Sequence, residues 1–229
     1  MRNWISATAG LCVLFLCGPV FAQSADFPNA AAARAFADKL IADEKVDDQF
    51  ENITSSPIPV ARHRGSGLIC TFPGIEQSTL RVYPSDGPRG DDVGCSYNFS
   101  NAMTVSMYVN HFPQDVPLDV ATQATWDELA KLYPAAEPFT FDGDAPEALP
   151  APYALPEMRV IRFAFDFDGE PVFSRSAVAV VDGWVVTQRV TSRAAYAKAA
   201  ESLGEAQMII AMAQMVTGAP LDPLRPFSP

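Results

Sequence analysis

The chain has little histidine, few cysteines and no long apolar run outside its first residues. There are 2 histidines and 4 cysteines among 229 residues. Only His63 and His111 can supply an imidazole, and neither lies at a metal-ligand spacing from another His or Cys. Basic residues are scarce as well, with 16 Lys and Arg against 27 Asp and Glu, for a formal net charge of −11. Such an acidic chain makes a poor partner for nucleic acid or for an anionic membrane surface. No apolar stretch is long enough to span a bilayer. Recognisable acid–base pairs, a phosphate-binding loop and a nucleophile elbow are all missing. No cofactor is implied, and an enzyme is less favoured than a binding protein.

What is present begins with residues 1–22. Arg2 gives a positive start, residues 11–16 form a short apolar core, and Val20-Phe21-Ala22 places small residues where a signal peptidase reads. Cys17 follows Leu16, which is too large for a lipid-attachment site. A secretory signal over 1–22 is therefore expected, followed by one domain over 23–218 and a Pro-rich tail over 219–229. Export to the periplasm or the medium would remove Cys12 and Cys17 and leave Cys70 and Cys95 in an oxidising compartment. A disulfide between those two is expected, because two cysteines alone are too few to hold a metal.

Residues 158–191 organise the rest. Asp168-Gly169 and Asp182-Gly183 each sit between apolar, β-branched runs, and Asp-Gly suits the positive φ of a two-residue type I′ turn. Two such turns predict three antiparallel strands with Phe167 facing Glu170 and Val181 facing Trp184. One face then carries Ile161, Phe163, Phe165, Val178, Val180 and Val185. The other carries Met158, Val160, Ala177, Ala179, Val186 and Val190. A sheet apolar on both faces needs cover on both. The same register sets Arg162 opposite Arg175. Like charges so placed repel, so the pair calls for a bound anion, a nearby carboxylate from another segment, or a slipped register.

Upstream, Asn29 reads as the cap of an amphipathic helix over 30–46, with Ala33, Phe36, Ala37, Leu40 and Ile41 on one stripe. Residues 50–59 read as irregular. Arg62-His63-Arg64-Gly65-Ser66-Gly67 is the densest basic cluster, and its glycines would let backbone N–H groups approach an anion. The alternative is a solvated or salt-bridged loop. Four strands follow at 68–72, 79–83, 93–99 and 103–112, with a turn at Ser100-Asn101. A helix over 118–133 carries a capping-box pattern at Thr125-Trp126-Asp127-Glu128, with Asp119 as the alternative cap of an earlier start. Residues 134–156 hold 6 prolines and read as a surface loop. Asp142-Gly143-Asp144 within it reads as turn chemistry. The last helix, 194–216, has Tyr196, Ala199, Leu203, Ala206, Ile210, Ala213 and Val216 on one stripe and Gly218 as its stop. Met208, Met212 and Met215 read as core filler, with a groove lining as the other use.

These elements predict an α+β protein: a single antiparallel sheet of about seven strands, covered by helices on both faces. The order helix, four strands, helix, three strands, helix resembles the PsbP-like fold, an antiparallel sheet sandwiched by helices. The resemblance covers roughly the mature chain and rests on no specific motif. It implies an accessory or binding role and transfers no functional residue. The expected partner is another protein or a small anionic ligand. Its candidate residues are Arg62, His63 and Arg64, then Arg162 and Arg175. A hydrolase using His63 or His111 is the alternative.

Overall fold

The structure, a computed structural model, describes residues 27–73, 77–99, 102–141 and 154–218. The expected signal over 1–22, the Ser100-Asn101 turn, Asp142-Gly143-Asp144 and the tail over 219–229 lie outside them. Among the described residues there are three α-helices and ten strands: α1 (Ala30–Asp43), β1 (Phe50–Asn52), β2 (Val60–His63), β3 (Ile69–Thr71), β4 (Thr79–Val82), β5 (Asp92–Phe99), β6 (Met103–His111), α2 (Leu118–Leu132), β7 (Glu137–Pro138), β8 (Met158–Phe167), β9 (Glu170–Val181), β10 (Trp184–Arg193) and α3 (Ala197–Thr217).

The fold is α+β. The main sheet has seven antiparallel strands in the order β4-β5-β6-β10-β9-β8-β7. Beside it lies a second sheet, β1-β2-β3, which the sequence reading did not anticipate. The strand expected at 68–72 belongs to this small sheet as the shorter β3. The seventh place in the main sheet goes to β7, which pairs Glu137 with Ala164 inside the stretch expected to be loop. β1 and β2 are three and four residues long. Strands so short show too little alternation to stand out from irregular chain.

The meander β8-β9-β10 follows from its two turns. Asp168 and Gly169 have φ of 52° and 79°, and Asp182 and Gly183 have φ of 48° and 81°. Both pairs are therefore left-handed, as a type I′ turn requires. Phe167 pairs with Glu170, Val181 with Trp184 and Arg162 with Arg175. β10 also pairs along β6, from Trp184 opposite His111 to Ser192 opposite Met103, which joins the meander to β4-β5-β6.

Helices cover both faces of the main sheet. α2 packs on one face, where Ala121 meets Val178 and Val185 and Tyr133 stacks on Phe165 at 4.3 Å between ring centres. Its N-cap is Pro117, and Thr125 lies inside the helix with Oγ1 donating to Ala121 O at 2.9 Å. The helix starts at Leu118 as expected, so the capping-box pattern at residues 125–128 lies inside it and caps nothing, and Asp119 sits in its first turn and not at the cap. α3 lies across the other face with α1 and the small sheet, and this side holds most of the core. Asn29 caps α1 by accepting from Ala32 N at 3.0 Å, and Gly218 ends α3 at φ 66°. Met208, Met212 and Met215 of α3 are buried in that core.

Cys70 of β3 and Cys95 of β5 form a disulfide that closes 25 residues and ties the small sheet to the main one. In the chain-entropy account a loop of this size is worth about 3 kcal/mol. A Cys70→Ala, Cys95→Ala double variant is expected to lose about that much stability in urea-induced unfolding followed by tryptophan fluorescence.

Candidate functional site

The two arginine clusters are both answered by carboxylates within the protein. Arg62 lies directly opposite Glu51 in the β1–β2 pair, and its Nε donates to Glu51 Oε1 at 2.7 Å. Arg64 Nη1 donates to Glu51 Oε2 at 3.2 Å. Arg162 grips Glu201 of α3 with two bonds, Nε to Oε2 at 2.9 Å and Nη2 to Oε1 at 2.7 Å. Arg175 is fully buried and donates from Nε to Glu201 Oε1 at 3.2 Å and from Nη1 to Gln188 Oε1 at 2.7 Å. Burial pulls the Arg175 guanidinium below its ordinary value, and Glu201 acts the other way. The opposed arginines are thus bridged by a carboxylate from another segment. An anion arriving at either cluster competes with a carboxylate already there.

The loop after β2 is a hairpin turn into β3. The N–H groups of Arg64, Ser66, Gly67 and Leu68 donate to Gln49 O, His63 Nδ1, His63 O and Ser66 Oγ, so these four are not free to cradle an anion. His63 fills the underside of the turn. It is 1% exposed, with its ring 5.3 Å from that of Phe50 and 5.6 Å from that of Trp184. Ser66 N–H donates to Nδ1 at 3.1 Å, so the neutral ring carries its proton on Nε2, which is buried with no partner among the described residues. His111 meets the same Trp184 at 5.0 Å and holds Asp91 at 3.7 Å. The tryptophan brings the two histidines into one neighbourhood, which nothing in the sequence indicated.

The arrangement with the clearest capacity to hold a ligand is elsewhere. A groove of about 700 Å³ runs between α3 and the main sheet. Its floor is the inner face of β5 and β6, with Cys95, Tyr97, Phe99, Met103, Val105 and Met107 alternating inward. One wall is α3, through Ala199, Leu203, Ala206, Gln207 and Ile210. The other is Ile58, Ile69, Cys70, Thr71 and Pro73. The disulfide therefore joins wall to floor. None of the lining residues is charged. Volume and lining both suit a small-molecule site.

The lining is mostly apolar, and its polar side chains are Thr71, Ser202 and Gln214 together with the pair Tyr97 and Gln207. Gln207 Nε2 donates to the Tyr97 hydroxyl. Tyr97 is buried, and burial pushes its phenol far enough up to keep it neutral, with the Gln207 bond opposing. The Gln207 amide oxygen is buried without a partner among the described residues. The pair thus offers one hydroxyl donor and one free acceptor. It matches a neutral head such as an alcohol, an amide or a protonated carboxyl.

The sequence did carry a signal for this groove. Of the stripe picked out on the last helix, Ala199, Leu203, Ala206 and Ile210 are half-buried groove wall, whereas Tyr196 and Val216 are exposed and Ala213 is buried. The face of α3 pressed on the sheet is instead Ala197, Ala200, Glu201, Gly204, Met208, Ala211 and Met212. Two of those residues fail an apolar-periodicity test, which hid the packed face.

No family model matches the chain, and no curated protein matches it. Among solved structures, 7 chains match. One is LpqN, described as involved in cell envelope biogenesis of Mycobacterium tuberculosis, at TM-score 0.33 and 13% identity over 56% of this chain and 81% of that chain. An overlap this small carries no argument about family, ligand or role.

The buried His63 sets a pH dependence. Burial lowers its pKa to about 4 from 6.5, with Asp91 opposing. Between those values the unfolded chain binds more protons than the folded one, so the stability this histidine contributes is complete above pH 6.5 and is lost as pH falls toward 4. The span corresponds to about 3 kcal/mol. A His63→Phe variant is expected to show a smaller fall in urea-unfolding stability from pH 7 to pH 4.5 than the parent. Equal slopes would contradict the burial of a neutral ring.

Proposed function

We propose that the protein is an exported binding protein, periplasmic or secreted, that holds a small apolar molecule with one neutral polar head in the groove between α3 and the main sheet. The observation that carries this reading is the lining: mostly apolar and uncharged throughout, with Thr71, Ser202 and Gln214 as further polar side chains beside the hydrogen-bonded pair Tyr97 and Gln207. A charged ligand would lose its hydration there and find no counter-charge. An unpaired buried acceptor such as Gln207 Oε1 costs about 1–3 kcal/mol, which a ligand hydroxyl or amide would recover.

Export is supported by the Cys70–Cys95 bridge, since disulfides persist in oxidising compartments, and by the leader-like pattern of residues 1–22. The order of elements behind the resemblance to the PsbP-like fold differs in the structure, with six strands before α2 and four after it, so this reading does not draw on it.

The test uses the neutral apolar dye N-phenyl-1-naphthylamine. Its fluorescence is expected to rise saturably with one site per chain, and Ala206→Phe, which fills the groove, is expected to weaken binding at least tenfold. A non-saturable rise, or an unchanged affinity in Ala206→Phe with the fold intact by circular dichroism, would overturn the reading.

A further inference from the structure

On the opposite face of the main sheet α2 covers only part of the strands. A groove of about 660 Å³ remains between α2 and the outer face of β5, β6 and β10. Its lining differs in kind from that of the apolar groove. Tyr83, Tyr108, Asp92, Asn110, Glu128 and Arg189 all line it.

The sheet register places these groups in rows. Asp92 pairs with Asn110, and Asn110 with Val185. One row along, Gly94 pairs with Tyr108, and Tyr108 with Thr187. Glycine at 94 is what gives the tyrosine room. A Cβ there would come within 2.8 Å of Tyr108 Cδ1 and 2.9 Å of Met107 O. Tyr83 stands beside it, with ring centres 6.1 Å apart. The floor therefore presents two aromatic rings next to a half-buried carboxylate. Burial raises the pKa of that carboxylate, Asp92, while a hydrogen bond from Asn110 opposes and the charge of Glu128 adds to the rise.

Two further observations show that the lining is incomplete as it stands. Arg189 Nε is buried with no hydrogen-bond partner among the described residues. In addition, Phe112, Val120 and Leu132, which are 44%, 53% and 55% exposed, all line this groove. Large apolar side chains left in water around a polar floor mark a surface that receives something.

The mixture narrows the chemistry. A cation would use the two carboxylates and leave Arg189 unanswered. An anion would meet Arg189 together with Asp92 and Glu128. A purely apolar molecule would bury all three charges unpaired, at high cost. A polyhydroxylated ring offers hydroxyls that both donate and accept, and C–H faces that lie against aromatic and aliphatic side chains. We propose that this groove is a saccharide-binding site, with Asp92, Asn110, Glu128 and Arg189 reading hydroxyl groups and Tyr83, Tyr108 and Phe112 receiving the ring faces.

Saturation-transfer difference NMR on the full chain tests this with maltotriose, cellotriose and triacetylchitotriose as probes. Spermidine and inorganic phosphate serve as the cationic and anionic controls. At least one trisaccharide is expected to receive saturation, and its affinity is expected to fall at least tenfold in Asp92→Asn. The same fall is expected in Phe112→Ala, which changes an exposed side chain and leaves the sheet register alone. An excess of that trisaccharide is expected to leave N-phenyl-1-naphthylamine fluorescence unaltered, which separates this site from the apolar groove. No transfer to any of the three sugars, binding unchanged in both variants, or binding of spermidine or phosphate in place of sugar would each overturn the proposal.

Discussion

One carboxylate holds the molecule in its working shape. Glu201 of α3 is 3% exposed and takes hydrogen bonds from two arginines that face each other across β8 and β9. Without it, the register set by the Asp168-Gly169 turn would bury one positive charge beside another. With it, the repulsion becomes a bridge that fixes α3 at one place on the sheet. Buried ion pairs of this type add little net stability compared with an apolar substitute, but breaking one by removing a single partner is costly. Their best-attested use is to fix a register. Gly204 belongs to the same contact, since a Cβ there would lie 2.9 Å from Arg175 Nη1 and 3.0 Å from Arg175 Cδ. The helix can come down onto the guanidinium only because that side chain is absent.

The position of α3 defines the apolar groove. Once Glu201 and Gly204 face the meander, the stripe a third of a turn away, through Leu203, Ala206 and Ile210, overhangs β5 and β6. The disulfide sets the opposite wall by tying β3 to β5. On the other side, α2 is centred on β8 and β9 through Ala121 and Tyr133, and so leaves the outer face of β5 and β6 open. The two grooves therefore share the strands β5 and β6 as a common partition. Alternation along those strands sends Tyr97 to one side and Tyr108 to the other.

Much of this was legible in the residues themselves. Asp-Gly between β-branched runs specifies both turn type and register, and the Arg162–Arg175 opposition followed from that register. Asn29 marked a helix start through its side-chain oxygen, which accepts the Ala32 N–H, and Gly218 a helix end through its left-handed φ of 66°. Cys70 and Cys95 are the pair that remains when the leader expected over residues 1–22 is set aside. What stayed hidden had a common cause. β1 and β2 are too short to show a period, and they pair with each other and with β3 rather than with the main sheet. α3 buries Glu201 and Glu205 on its packed face, so apolar periodicity pointed to the groove wall instead. His63 looked like part of a basic, solvated loop, and only tertiary packing against Phe50 and Trp184 makes it a core residue. The candidate sites were hidden for a related reason: both are lined by residues from distant segments whose individual neighbourhoods carry no motif.

The claim that most of the structure depends on is that Glu201 and the two arginines act as one unit. A double-mutant cycle in urea addresses it, using Glu201→Gln, Arg175→Met and the two combined. The account predicts that Glu201→Gln alone costs about 3–5 kcal/mol. It also predicts that adding Arg175→Met restores part of the loss, because the second change removes the uncompensated buried charge. Losses that add to within about 0.5 kcal/mol would mean the residues do not interact, and would contradict the account.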